Sequence, residues 1–195
     1  MTNAEQLQKL QQEMASDTSL PLKTNLVFGE GNPEATVVFI GEAPGAKEDE
    51  LIRPFVGRSG QLVDKMLTAI KWKREDVYIT NIVKRRPPDN RDPLPEEIEA
   101  YKPYLTRQIA IIKPKIIVTL GRFAMSYFIP TGKITRDQGK VFRLAENRLI
   151  VPMLHPAAAL RGTGAMQMFM KSFVKLPAIV KKADGLLTAP RTLSA

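Results

Sequence analysis

Four short runs of β-branched and apolar residues constrain this chain more than any other feature: Thr36–Ile40 (TVVFI), Val77–Val83 (VYITNIV), Ile116–Leu120 (IIVTL) and Leu149–Leu154 (LIVPML). A strand with one face in water alternates apolar and polar residues, whereas a nearly unbroken apolar run needs cover on both faces. Helical patterns lie between the runs. Residues 3–15 carry Leu7, Leu10 and Met14 on one stripe, and Leu62, Val63, Met66, Leu67 and Ile70 share another behind a candidate cap at Ser59. Pro95–Lys113 reads as a helix disturbed at Pro103, Gly121–Phe128 as a short one, and Ala165–Lys182 as a last amphipathic helix interrupted near Pro177. Strands alternating with helices predict an α/β fold with a parallel sheet covered on both faces. One domain over residues 1–195 follows from the length, with a flexible tail expected from about residue 184 to 195.

In such folds ligands bind beyond the carboxyl ends of the strands. Three of the runs end there in unusual chemistry. The first leads into Gly41-Glu42-Ala43-Pro44-Gly45, the second carries Asn81 near its end, and the fourth ends at His155-Pro156. Each alone has an ordinary explanation: glycines for a tight turn, an asparagine as a cap, a hydrogen-bonded histidine closing a strand.

Charge narrows the partner. The 29 Lys and Arg exceed the 20 Asp and Glu by nine. Six basic residues follow His155 (Arg161, Lys171, Lys175, Lys181, Lys182, Arg191) against the single acid Asp184, and Lys84, Arg85, Arg86 and Arg91 cluster in a proline-rich stretch. An excess so distributed suits a polyanion, since phosphates neutralised by the protein release their counterions. The chain has no cysteine, which excludes disulfides, thiolate metal sites and cysteine nucleophiles, and its single histidine speaks against a histidine metal cage. No apolar run is long enough to span a membrane, and the polar, Gln/Glu-rich Met1–Ser16 stretch is unlike a signal peptide, so a cytoplasmic address and a monomer are expected.

Taken together, the motifs are far more specific than any one of them. Gly41–Gly45, Glu48-Asp49, Arg53-Pro54-Phe55-Val56-Gly57-Arg58-Ser59-Gly60, Thr80–Lys84 and His155-Pro156, with Val27–Pro33 and Arg86-Pro87-Pro88, closely resemble the family 4 uracil-DNA glycosylases. The resemblance runs from about residue 5 to 180. It implies a three-layer α/β/α sandwich around a four-stranded parallel sheet, and a DNA-repair enzyme that flips uracil out of DNA and hydrolyses its glycosidic bond. It further implies that Phe55 stacks on uracil, that Asn81 reads the N3–H and O4 edge, that His155 donates to O2, and that the backbone near Glu42 and Ala43 lines the same pocket. Glu42 is the first choice for the carboxylate that orients water, and Glu48 the second, because Ala43 stands where family 1 relatives carry an aspartate. Glu48 is also placed to fill the space left at Gly45 and reject a C5 methyl group. Arg58, Lys84, Arg86, Leu160 and Arg161 are the candidate DNA contacts. For Leu160 and Arg161, a wedge into the vacated helix competes with ordinary packing and phosphate contact.

Two departures from the family stand out. Family 4 enzymes usually hold a four-iron–four-sulfur cluster on four cysteines; here Met14, Asp17, Arg85 and Tyr101 stand at or near those positions, so no cluster is expected. Ile52 replaces a glycine that commonly precedes Arg-Pro-Phe. The missing cluster and Ala43 leave one alternative of another class, a module that binds uracil-DNA with little or no turnover. A nucleotide-binding α/β enzyme follows only if Gly41–Gly45 is read in isolation.

Overall fold

A computed structural model describes residues 1–144 and 147–188. Along the chain lie α1 (Asn3–Ser16), β1 (Glu30–Gly31), β2 (Val37–Gly41), α2 (Ala46–Leu51), α3 (Arg58–Ala69), β3 (Tyr78–Asn81), α4 (Pro95–Ile112) and β4 (Ile116–Leu120). Then follow α5 (Arg122–Phe128), α6 (Ile134–Asp137), β5 (Phe142–Arg143), β6 (Leu149–Met153), α7 (Pro156–Ala159), α8 (Thr163–Phe173) and α9 (Leu176–Thr188). Short 3₁₀ turns cover Arg74–Asp76 and Pro88–Asn90.

The sheet order is β1-β3-β2-β4-β6-β5. Its four inner strands are parallel, as the apolar runs predict, and every residue in them is buried. The count of four strands needs correction to six, because β1 and β5 add antiparallel edges. Both are two residues long, Glu30-Gly31 and Phe142-Arg143, too short to leave a periodic signal.

Alternate strand residues feed two cores. Val37, Phe39, Ile116, Val118, Leu149 and Val151 pack against α3, α8 and α9 on one face. Val38, Ile40, Ile117 and Ile150 pack against α1 and α4 on the other. This is the expected α/β/α sandwich, and the double cover is why the strand runs carry so few polar residues.

Helix boundaries differ in instructive ways. Gly57, not Ser59, is the N-cap of α3, which begins at Arg58. The helix α4 continues through Pro103. The break in the last helical segment falls at Val174–Lys175, ahead of Pro177, which sits in the first turn of α9 where its missing N–H costs nothing. Residues 184–188 of the expected tail belong to α9, with Leu187 buried in the core. The rest of that tail, Arg191 included, lies outside the described residues.

Candidate active site

The connections from β2 run first to β3 on one side and then to β4 on the other, so the chain reverses direction across the sheet beside β2. A crevice beyond the strand ends is the consequence. Gly41 and Asn81 are register partners at the ends of β2 and β3, and the ladder continues past them through Ile82 N–H to Gly41 O and Val83 N–H to Glu42 O. On the other side Gly121 N–H donates to Met153 O, tying the end of β4 to the end of β6 just before His155. Gly121 has φ +96°, and a Cβ there would stand 3.1 Å from that of His155. These ties bring Glu42, Asn81 and His155, far apart along the chain, around one cavity of about 590 Å³.

Glu42, Ala43, Glu48, Phe55, Asn81 and His155 all line it, and Arg58 and Arg161 stand at it as well. The Phe55 and His155 rings lie 6.1 Å apart and tilted by 37°. Asn81 is 1% exposed, and its Oδ1 has no hydrogen-bond partner among the described residues. A buried acceptor left open beside a cavity is ready for a ligand donor.

His155 is the N-cap of α7, and its Nδ1 accepts from Ala157 N–H at 3.2 Å. That bond assigns the ring proton to Nε2. Burial, with the nearby charge of Arg161, pushes the imidazole pKa down to about 4. The ring is therefore neutral at pH 7 with Nε2–H to donate. Glu42 is pushed the other way, up to about 7, chiefly by burial and then by the charge of Asp92, against the opposing pull of Arg122. Glu48 serves the loop beside it: Oε1 accepts from Val56 N–H at 2.9 Å and Gly57 N–H at 2.7 Å. Its Oε2 would stand 2.8 Å from a Cβ on Gly45, so the carboxylate occupies the space above that glycine.

Three expected DNA contacts do not line the cavity. Lys84 is corrected outright: it is fully buried, donating to Gln108 Oε1 at 2.6 Å and to Thr80 Oγ1, so it cannot reach a phosphate. Burial lowers its pKa. Arg86 is half-buried and donates to Asn90 Oδ1 at 2.7 Å, while Leu160 is 38% exposed outside the cavity. Conversely, Asn90 and Asp92 line the cavity although neither belongs to a motif named above. Asp89 and Asn90 both take the left-handed conformation, at φ 53° and 54°, which turns the chain back toward the site. The Asp-Asn pair was the available signal, since these residues tolerate that conformation best after glycine.

The residues at the family's cluster positions do not fit an iron–sulfur cluster. Met14 and Tyr101 are fully buried in the core between α1 and α4. The Tyr101 hydroxyl donates to Pro21 O at 2.7 Å, Arg85 donates to Thr24 O and reaches Tyr101, and Asp17 accepts from the Tyr104 hydroxyl at 2.6 Å. A guanidinium and a phenol committed to backbone carbonyls supply no thiolate to iron. Among the described residues no group of three or more His, Cys, Asp or Glu is arranged to hold a metal ion, and no helix is long and apolar enough to cross a membrane.

Comparison with known proteins places the chain in a family. A Type-4 uracil-DNA glycosylase of Sulfurisphaera tokodaii is 46% identical over 182 residues, 87% of this chain and 83% of that protein. Those of Archaeoglobus fulgidus and Thermotoga maritima are 43% and 39% identical, over 85% and 93% of this chain and 87% and 98% of theirs. The sequence pattern of the uracil DNA glycosylase superfamily matches residues 28–176, a span that contains every residue placed at the cavity, and the chain belongs to that superfamily.

Proposed function

We propose that this chain excises uracil from DNA: it flips the nucleotide into the cavity and hydrolyses the N1–C1′ bond, leaving an abasic site for base-excision repair. The observation that carries the reading is Asn81 Oδ1, a buried acceptor without a partner at the end of β3. Uracil offers a donor at N3 next to an acceptor at O4, and one side-chain amide matches both. Cytosine presents the reverse pattern on that edge.

The remaining groups take roles that follow from the chemistry. Phe55 stacks on the ring. His155 Nε2–H donates to O2, where charge gathers as the C1′–N1 electron pair passes to the base; one preorganised donor of this kind is worth about 3–4 kcal/mol. Water attacks C1′ and gives its proton to the Glu42 carboxylate, which also favours the cationic sugar. The departing anion then takes a proton from solvent. Glu48, filling the space above Gly45, excludes a C5 methyl group and so rejects thymine. Arg58 and Arg161 at the rim hold phosphates. No step uses a metal or a cluster, and we take the working protein to be a cytoplasmic monomer free of cofactors.

One gel tests the reading against a binding module without turnover. A uracil-containing oligonucleotide should become alkali-labile at the uracil position when treated with the purified protein. A shifted but intact strand would favour the module.

A further inference from the structure

The loop that presents Phe55 is strained. Phe55 has φ +51°, a left-handed conformation that is unfavourable for a side chain other than glycine. Such a conformation persists only where its surroundings over-determine it. On the cavity side the restraint is Glu48, whose Oε1 holds the amides of Val56 and Gly57. The carbonyls on the other side of the same loop are held by a residue outside the cavity. Arg74 Nη1 donates to Phe55 O at 3.2 Å, and Nη2 donates to Pro54 O.

Arg74 is itself anchored. Its Nε donates to Glu30 Oε1 at 2.7 Å and its Nη1 to Asp64 Oδ1 at 2.6 Å. Glu30 also accepts from Arg53, one residue before Pro54, at 2.7 and 3.0 Å. Edge strand β1, helix α3 and the turn before β3 thus converge on one guanidinium, whose side chain is 19% exposed. A planar fork of five donors can serve two carbonyls and two carboxylates together; an ammonium cannot.

We propose that Arg74 is a positioning residue for uracil excision, holding the Pro54-Phe55 carbonyls from behind so that the Phe55 ring stays set toward the base site. The proposal rests on the excision reading only for the identity of the base. Arg74 touches neither substrate nor reacting atoms and acts through Phe55.

A double-mutant cycle reads this directly. In the full-length protein, Arg74→Lys should keep a charge among Glu30 and Asp64 yet lower single-turnover excision by at least about tenfold, with affinity for DNA lacking uracil unchanged. In a Phe55→Ala background the same substitution should cost nothing further. Equal losses in both backgrounds, or a rate that falls only as far as the folded fraction does, would overturn the proposal. Should Arg74→Lys fold poorly, Asp64→Ala removes one anchor while leaving both carbonyl bonds, and should give a smaller loss with the same dependence on Phe55; an Asp64→Ala loss independent of Phe55 would count against it equally. If the wild-type chain binds uracil-DNA without excising, the excision reading fails separately, and the cycle is read on the preference for a uracil over a thymine oligonucleotide. There Arg74→Lys should reduce the preference only while Phe55 is present.

Discussion

Gly41 and Asn81 face each other across the ends of β2 and β3 so closely that a methyl group on Gly41 would stand 2.5 Å from Asn81 Oδ1. The same methyl would collide with the Phe55 ring. The glycine is required by the space these two side chains need, the pair proposed to read uracil. Gly41→Ala should therefore fold, since its φ is not left-handed, but should lose excision by a hundredfold or more, on the order of the effect of misplacing reacting groups by about 1 Å. Single-turnover kinetics with a thermal melt checks both halves. Asn81→Ala should behave alike, losing rate far more than DNA affinity.

The pH profile separates Glu42 from His155. With Glu42 raised to about 7, kcat/KM should climb about tenfold per pH unit below that value and level off above it. His155, at about 4, stays neutral over that range and contributes no alkaline fall. Its effect on stability has the opposite reach. The unfolded chain binds the histidine proton below the ordinary value of 6.5 while the folded chain does not, so this group destabilises the fold progressively as pH drops from 6.5 toward 4. His155→Ala should cost on the order of a hundredfold in rate and remove that part of the acid sensitivity. A rate that falls steeply above pH 6.5 in the wild-type chain would make the histidine a cationic acid instead.

Salt dependence tells phosphate contacts from buried charge. Arg161→Ala or Arg58→Ala should lower the slope of log affinity against log salt by about one unit each. Lys84→Met should leave the slope unchanged, because Lys84 is sealed inside the protein. A lowered slope for Lys84→Met would show that the loop opens on DNA.

The cluster positions predict a colourless protein without iron, whose α1 and α4 are joined through side chains. Tyr101→Phe deletes the bond to Pro21 O and should cost about 1 kcal/mol in denaturant unfolding. Excision at a temperature well below the melt should not change. Stoichiometric iron with visible absorption would overturn the assignment.

Much of this molecule is legible in its sequence. The four inner strands followed from runs such as Ile116–Leu120, because burial on both faces writes itself as local composition. Of the cavity residues, Glu42, Asn81 and His155 stand at strand ends, where local sequence and position in the fold coincide, while Phe55 was legible only through the family resemblance. What tertiary structure alone decided was the fate of long polar side chains. Lys84 and Arg86 belong to the same basic cluster, yet the first is sealed against Gln108, 24 positions away, while the second is only half-buried. Arg74 carried no local signal at all, since its partners Glu30, Asp64 and Pro54 lie 44, 10 and 20 positions distant. Apolar periodicity records which face of an element is buried; where a flexible charged chain finds its partner is settled only when distant segments meet, and so it is absent from the sequence read as a line.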